Sequence, residues 1–426
     1  MTQYDCASPP RTIEETGLSE SFLFGLFAKV FNEAGILTPA EVGNYVKLPR
    51  IVCRVVIDLM VKQSLVESQG LEASDIKSDI RYSLTDSGRA LAFEAMATSQ
   101  YVGPAPVTLD KLCSQVESQS IKNEEVHRSE LDKSLAHLVI PDELLPQLGP
   151  AANSGRSVLL YGEPGNGKTS IAEALGKCFS DTIFMPYATI VGNQVIRFFD
   201  ETLHQPVDLP EDHPKIDPRW VPCRRPIVVA AGELTLEKLD LSFEPQSRFY
   251  EAPMHLKALG GVFILDDFGR QTATPQQFLN RWIVPLEKGI DIMSLHTGKT
   301  FTVPFDQLVV FSSNMEPEEL GDGAALRRIY FKIRVPSPTR AEYLEIFADA
   351  CASENIPYSS DVVETFFERE YTQAGVVTSG AHPGFLLQHV RAICQYLDRE
   401  VALSDDLLQI AWKSVAKSKA SPARSN

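Results

Sequence analysis

The chain has 426 residues, of which 44% are hydrophobic and 23% are charged. This length suits two or three domains of roughly 100 to 200 residues each, and this composition excludes a disordered or fibrous chain. The chain has 40 Lys and Arg residues and 56 Asp and Glu residues, so its formal net charge is −16. Such a charge disfavours binding of nucleic acid or anionic membrane by the surface as a whole, although a local basic patch is compatible with it.

The cysteines and the apolar segments indicate a cytoplasmic protein. The seven cysteines are dispersed and never form a C-x-x-C pair. This pattern is typical of reduced thiols and argues against a disulfide framework or a zinc knuckle. The N-terminus lacks a basic segment followed by an apolar run, and charges interrupt every apolar stretch before about 18 residues. We therefore expect neither export nor a membrane span.

Residues 1–100 predict a small α+β domain. Apolar periodicity predicts three helices over 18–62, with a capping box formed by Thr38 and Glu41 at the start of the second. Two short strands and a further helix follow, at 65–67, 81–85 and 87–97. Three helices and a two-stranded wing form the winged-helix arrangement, a variant of helix-turn-helix, which this region resembles.

Four further segments complete the predicted organisation. A stretch rich in Gly and Pro and an aperiodic polar stretch predict a linker over 101–137. Alternating strand and helix patterns predict an α/β domain with a largely parallel sheet over 138–336. Helical patterns predict a helical region over 337–416, and the polar residues 417–426 predict a disordered tail.

A phosphate-binding loop follows the first strand of the α/β region. The strand at 157–161 leads directly into GEPGNGKT, which matches G-x-x-x-x-G-K-[ST] in its required strand–loop–helix context. Glycines let backbone N–H groups close around phosphate oxygens, Lys168 reaches the β- and γ-phosphates, and Thr169 supplies an oxygen to Mg²⁺. The predicted nucleotide-binding residues are Gly162, Glu163, Pro164, Gly165, Asn166, Gly167, Lys168, Thr169 and Ser170.

Two acidic residues end the apolar strand predicted at 261–265. Asp266 is a candidate to hold Mg²⁺ through water, and Asp267 is a candidate to deprotonate the attacking water. Acids at a strand end can also form a plain solvated turn. The phosphate-binding loop favours the catalytic interpretation, because ligands of parallel α/β sheets bind at the carboxyl edge.

Three later polar residues complete the set of catalytic candidates. A strand predicted at 307–313 ends in Asn314, and an adjacent central position would aim this amide between Asp267 and the γ-phosphate. Arg327 and Arg328 precede another predicted strand at 329–335. Taken alone, the two arginines favour an interpretation as ordinary surface charge.

This series of motifs resembles the AAA+ ATPase module over about residues 138–415. The resemblance implies ATP and Mg²⁺ as cofactors, a five-stranded parallel sheet, a small helical lid, and rings, usually hexamers, with ATP between protomers. It makes Asp266 and Asp267 the Walker B pair, Asn314 the sensor 1 residue, and either Arg327 or Arg328 an arginine finger.

Two positions depart from the AAA+ pattern. The usual Walker B pair is Asp-Glu, whereas this chain has Asp-Asp, whose second carboxylate, that of Asp267, is one methylene shorter. The lid helix usually carries a sensor 2 arginine, but the corresponding position holds Gly384, and Arg391, two turns later, is a poor substitute. The first departure predicts slow hydrolysis, and the second leaves the coupling of the lid to the γ-phosphate without its usual residue.

The stretches YVGPAPV, AGELTLEKLDL, LDDFGRQ and FLNRWIVPLEKGID extend the resemblance to a bacterial group of predicted ATPases with chaperone activity. In that group a winged-helix-like region precedes the ATPase. The resemblance implies an ATPase that remodels a protein partner. Two alternatives remain: a DNA-linked regulator or helper ATPase that binds DNA through its winged helix, and a slowly hydrolysing scaffold that responds to nucleotide.

Charge makes the N-terminal domain a poor candidate for duplex DNA. Residues 1–100 contain nine Lys or Arg and thirteen Asp or Glu, a balance of −4, whereas DNA affinity depends on neutralising phosphates. The third helix carries Lys47, Arg50, Arg54 and Lys62 at or near its ends, but apolar residues fill much of it. We therefore expect this domain to contact a protein.

His204, His213 and Cys223 lie in a Pro-rich insertion between the first helix of the α/β region and the Walker B strand. A metal site would need a fourth ligand, and none occurs at a characteristic spacing. We therefore expect an ordered surface insertion here.

Overall fold

The computed structural model describes residues 6–71 and 80–415. These residues form two compact units, each built from three separate stretches of chain. The first unit takes the described residues up to Glu124 together with Phe179–Phe263 and Asn280–Leu308, and the second takes the rest. The predicted tail at 417–426 lies outside the described residues. Within those described, no helix has the length and apolar character needed to cross a bilayer.

The N-terminal region has the predicted order of elements. It consists of α1 (Ile13–Thr16), α2 (Glu20–Ala34), α3 (Pro39–Val46), α4 (Arg50–Lys62), β1 (Val66–Leu71), β2 (Ile80–Leu84) and α5 (Asp86–Thr98). The strands β1 and β2 pair antiparallel. The predicted capping box is present, because the Thr38 hydroxyl accepts from the Glu41 N–H and the Glu41 carboxylate accepts from the Thr38 N–H.

The segment predicted to be a linker contains regular secondary structure. It contains β3 (Val107–Thr108), α6 (Leu109–Ser118) and α7 (Arg128–Leu135). On α6, Leu112 and Val116 are almost fully buried, and Leu131 and Leu135 are buried in the same way on α7. Each helix has only one narrow apolar stripe, of spacing i, i+4, among many polar residues. Tertiary burial of that stripe, which the sequence pattern did not reveal, orders the segment.

The middle of the chain contains both strands and helices, but they alternate less regularly than the sequence predicts, because seven strands follow one another between two of the α-helices. The elements are α8 (Leu145–Ser154), β4 (Val158–Tyr161), α9 (Lys168–Lys177), β5 (Thr182–Pro186), β6 (Ala188–Val191), β7 (Gln194–Arg197), β8 (Trp220–Arg224), β9 (Ile227–Ala230), β10 (Ser242–Glu244), β11 (Phe249–Glu251), α10 (Met254–Lys257) and β12 (Val262–Leu265).

Further strands precede a C-terminal run of helices. The elements are α11 (Pro275–Arg281), α12 (Ile283–Lys288), β13 (Ile290–Ser294), β14 (Thr300–Pro304), β15 (Leu308–Ser313), α13 (Pro317–Leu320), α14 (Gly323–Leu326), β16 (Phe331–Arg334), α15 (Arg340–Ser353), α16 (Ser360–Phe367), α17 (His382–Tyr396) and α18 (Asp405–Val415). The last four helices pack around a core that includes Tyr343, Phe366 and Trp412. They confirm the predicted helical C-terminal region.

A five-stranded parallel sheet confirms the predicted α/β fold. Its strand order is β16-β4-β15-β12-β9, and all its strands run in the same direction. Every residue of β15 is buried, as expected for a central strand. Because β15 lies between β4 and β12, the loops that follow these three strands leave the same edge of the sheet side by side.

A second five-stranded sheet, of order β10-β11-β7-β6-β3, belongs to the first unit. The Pro-rich insertion contains a buried ion pair between Asp217 and Arg219, both fully inaccessible. The Arg219 guanidinium also donates to the carbonyls of Thr16 and Pro106, at 2.9 and 3.1 Å. The insertion is therefore ordered, as expected, but part of it lies in a core and not on the surface.

Candidate functional site

The glycine-rich loop closes tightly between β4 and α9. Gly162, Gly165 and Gly167 all have positive φ angles, of 137°, 82° and 80°, a region that side chains strongly disfavour. A Cβ at Gly162 would collide with the Val335 carbonyl. Gly167 is the N-cap of α9, so the free N–H groups of the first helical turn face the loop. The loop is therefore built to surround an anion with backbone donors.

Lys168 holds its ammonium group inside this loop. Its Nζ donates to the carbonyls of Gly162 and Glu163, at 2.9 Å each, and to Asn314 Oδ1 at 2.6 Å. Burial lowers the pKa of Lys168 below that of a free lysine, and nearby carboxylates, led by Asp266, oppose this shift. A phosphate group could replace these neutral acceptors with a charged one.

Thr169 and Asp266 meet where the loop faces the end of β12. The Thr169 hydroxyl donates to Asp266 Oδ1 at 2.8 Å. A hydroxyl and a carboxylate supply the hard oxygen ligands that Mg²⁺ prefers, and Mg²⁺ usually completes its coordination with water and substrate phosphates. The position of a Cβ at Gly167 has no atom within 4 Å, which leaves space in front of the loop. These residues fit a magnesium-bound nucleotide.

Asn314 lies between the loop and the Walker B acids. Its Nδ2 donates to Asp267 Oδ1 at 3.2 Å, while its Oδ1 accepts from Lys168. The end of β15 is fixed to the turn after β12, because the Phe268 N–H donates to the Ser312 carbonyl at 2.7 Å. The structure therefore brings together the lysine, the amide and the second aspartate, which are far apart in the sequence.

Asp267 has a left-handed backbone conformation with a φ of 48°. Asp and Asn tolerate this region better than longer side chains do, because their short polar side chains can hydrogen-bond locally. Gln271, to which the sequence assigned no role, closes the same turn. Its Oε1 accepts from the Gly269 N–H at 2.9 Å, and its Nε2 donates to the Asp266 carbonyl at 3.1 Å. No motif spacing identifies such a residue, because it acts through backbone groups.

The structure distinguishes the two arginines. The Arg328 side chain is half-buried and donates to the Ala324 carbonyl. Arg327 is exposed, and within the described part of the chain its side chain has no hydrogen bond or ion pair. Of the two, Arg327 is the one whose guanidinium is available to another molecule.

The start of the predicted lid helix supplies no cation to the loop. Gly384 lies in the first turn of α17, and the space where a side chain would begin is open. Arg391 forms an ion pair with Glu354 at 2.6 Å and also donates to the Glu354 carbonyl. We expected Arg391 to be a poor substitute for a sensor 2 arginine. The structure gives a reason, because its guanidinium is already paired within the helical region.

The His and Cys residues of the insertion have structural partners. His204 Nδ1 accepts from the Asp200 N–H at 2.9 Å, and its Nε2 donates to the Lys257 carbonyl at 2.8 Å. Burial raises the pKa of the Cys223 thiol to about 12. Within residues 6–71 and 80–415, no group of three or more His, Cys, Asp or Glu side chains is placed to hold a metal ion.

The C-terminal helices of this chain match a known protein family. One family, described as a domain of unknown function (DUF8689), matches residues 339–414, which contain α15 to α17 and all but the last residue of α18. No curated protein matches the chain.

Similar folds occur among solved structures. The RuvB Holliday junction branch migration motor of Thermotoga maritima is 13% identical, with a TM-score of 0.36 over 72% of this chain and 72% of that chain. NtrX from Brucella abortus in complex with ADP is 16% identical, with a TM-score of 0.35 over 68% of this chain and 60% of that chain.

The left-handed conformation of residue 267 leads to a prediction about stability. We expect Asp267→Glu to lower the free energy of unfolding by about 1 kcal/mol, because glutamate is less tolerant of this conformation than aspartate. Urea denaturation of the ligand-free chain measures the change. Asp267→Asn is the matched control and should leave the stability nearly unchanged. Equal stabilities for the Glu and Asp chains would contradict the explanation.

Proposed function

We propose that this protein is an AAA+ type ATPase that binds and hydrolyses ATP to act on a protein partner. The observation that carries the proposal is the chain of contacts at the carboxyl edge of the parallel sheet. Thr169 contacts Asp266, and Lys168 contacts Asn314, which in turn contacts Asp267. The position of β15 between the loop strand and the Walker B strand supports the same proposal.

The residues divide into binding and catalytic roles. The backbone of 162–169 and the Lys168 ammonium would bind the phosphates, and Thr169 and Asp266 would hold Mg²⁺. When bound, Mg²⁺ neutralises charge on the phosphate oxygens. Asp267 accepts a proton from the water whose oxygen bonds to the γ-phosphorus, while the bond from that phosphorus to the β–γ bridging oxygen breaks. The products are ADP and inorganic phosphate.

Asn314 would orient this step, because it contacts both Lys168 and Asp267. Under this proposal, the shorter side chain of Asp267 suits the backbone conformation but is less favourable for catalysis. Its left-handed backbone favours aspartate, but its carboxylate then reaches less far toward the water than a glutamate would. We therefore expect slow hydrolysis. In the limit of very slow hydrolysis, the same protein would act as the nucleotide-dependent scaffold.

Arg327 is our candidate for a residue that acts on the nucleotide of a neighbouring protomer. It is exposed and uncommitted, whereas Arg328 donates to its own helix. A cation supplied in trans requires a homo-oligomer, for which the AAA+ resemblance implies a ring, usually a hexamer.

The partner-binding proposal rests on the outer face of α4 in the N-terminal region, which we take as winged-helix-like. Its exposed residues mix apolar and charged side chains: Arg50, Ile51, Arg54, Val55, Asp58, Val61 and Lys62. Ile51 is 60% exposed and Val55 is 43% exposed. A DNA-reading face needs polar and cationic groups for base edges and phosphates, whereas this mixture suits contact with a protein.

Lys168 of the phosphate-binding loop and Asp267 of the Walker B pair give a matched pair of variants. We expect Lys168→Ala to abolish ATP binding, because the loop loses its side-chain cation at the phosphates. We expect Asp267→Asn to bind ATP but to hydrolyse it much more slowly, because an amide cannot accept the proton. Calorimetric titration with ATP and a phosphate-release assay measure the two effects. Full ATP affinity in Lys168→Ala would refute the proposed site, and undiminished turnover in Asp267→Asn would place the base elsewhere.

Mixed rings test the trans role of Arg327. We expect Arg327→Ala to lower turnover by about 10³ to 10⁵, and Arg328→Ala, the matched control, to lower it far less. Mixing Arg327→Ala chains with Lys168→Ala chains should restore part of the activity, because some interfaces then pair an intact loop with an intact Arg327. Absence of recovery in rings shown to contain both chains would argue against action in trans.

A salt titration tests the DNA-linked alternative. We expect the full-length chain to bind mixed-sequence duplex DNA no more tightly than about 100 µM at physiological salt, because residues 1–100 have nine Lys or Arg against thirteen Asp or Glu. Fluorescence anisotropy of labelled duplex measures the affinity. Micromolar binding that weakens steeply with salt, and that Arg54→Ala reduces, would favour the DNA-linked function over protein contact.

A further inference from the structure

The segment that leads into α17 packs directly on the phosphate-binding loop. A Cβ added at Gly165 would lie 2.5 Å from Ser379 Oγ and 3.0 Å from Ala381 Cβ. In the other direction, a Cβ at Gly380 would lie 3.2 Å from the Gly165 carbonyl oxygen. Glycine on each side therefore allows the two backbones to approach more closely than side chains would permit.

Asn166 connects the loop to two separate segments of this helical region. Its Oδ1 accepts from the Gly380 N–H at 3.3 Å, and its Nδ2 donates to Ser337 Oγ at 3.2 Å. Ser337 comes shortly before α15, and Gly380 comes shortly before α17. The motif G-x-x-x-x-G-K-[ST] specifies no side chain at position 166. Here that side chain is used for contacts with the helical region.

The contacts continue into the core of the helical region. His382, the first residue of α17, bonds through Nδ1 to the Tyr371 hydroxyl at 2.8 Å, and that hydroxyl bonds to the Tyr343 hydroxyl at 2.9 Å. Tyr343 and Tyr371 are buried. A shift of 379–381 cannot be absorbed locally, because a close-packed core transmits displacement.

We infer that Asn166 is a positioning residue that transmits nucleotide occupancy of the loop to helices α15 to α18. This inference rests on the proposed function, since it takes a nucleotide as the ligand that fills the loop. The Asn166 backbone belongs to the phosphate-surrounding segment, and its side chain is bonded to the helical region. Asn166 thus couples the loop to the helical region. Gly384 has no side chain for this role, and Arg391 is already paired with Glu354. By linkage, the helical region affects nucleotide affinity to the same extent.

Hydrogen exchange of the full-length chain tests this coupling. Exchange is measured at 376–396 without ligand, with ADP and with the slowly hydrolysed analogue ATPγS, each at a concentration shown by titration to saturate the variant. In the unaltered chain we expect a ligand-dependent change in protection of about fivefold or more. In Asn166→Ala we expect the change to fall below about twofold although the loop is occupied.

Ser337→Ala is the matched control, because it removes one partner of Asn166 but leaves the Gly380 contact. It should retain most of the response. An unchanged response in saturated Asn166→Ala would overturn the inference, and so would complete loss of binding, because Asn166 would then act on the nucleotide itself. If the unaltered chain binds nucleotide without any change at 376–396, the inference fails and the proposed function stands. If the unaltered chain binds no nucleotide, both fail.

Discussion

The site depends on the need to hydrogen-bond a buried ammonium group. Lys168 is only 6% exposed, and a buried cation without partners is strongly destabilising. Two of its acceptors are loop carbonyls, and the third is the amide of Asn314. The third partner is close only because β15 lies next to β4 in the sheet. The order of the strands and the need to hydrogen-bond the lysine therefore favour the same placement of Asn314 beside Lys168.

The turn after β12 shows how a backbone constraint selects a side chain. Residue 267 is left-handed, and the turn around it is closed by Gln271 and by bonds to the end of β15. Aspartate suits this conformation better than glutamate, which is consistent with the Asp-Asp pair at this position. At the start of α17, Gly384 provides no cation to the phosphate-binding loop. Asn166 of that loop instead contacts the segment that leads into α17.

The two compact units combine distant parts of the chain in different ways. The second unit contains all the candidate catalytic and nucleotide-binding residues. The first unit contains the N-terminal helices and the insertion, and it is stabilised internally by the buried pair of Asp217 and Arg219. Breaking such a pair leaves one uncompensated buried charge, which commonly costs about 3 to 5 kcal/mol. The buried charge pair thus stabilises the insertion in addition to its apolar burial.

The sequence by itself determined the loop, the strands around it and the α/β class, because these depend on short-range patterns. A glycine-rich turn, an apolar run and a helix start are all encoded within a few residues. The tertiary structure alone decided the packing of 101–137, the left-handed state of Asp267, the contacts of Gln271 and Asn166, and the difference in exposure between Arg327 and Arg328. Each of these depends on partners distant in the sequence or on backbone groups, and neither kind of contact leaves a periodic signal in the chain.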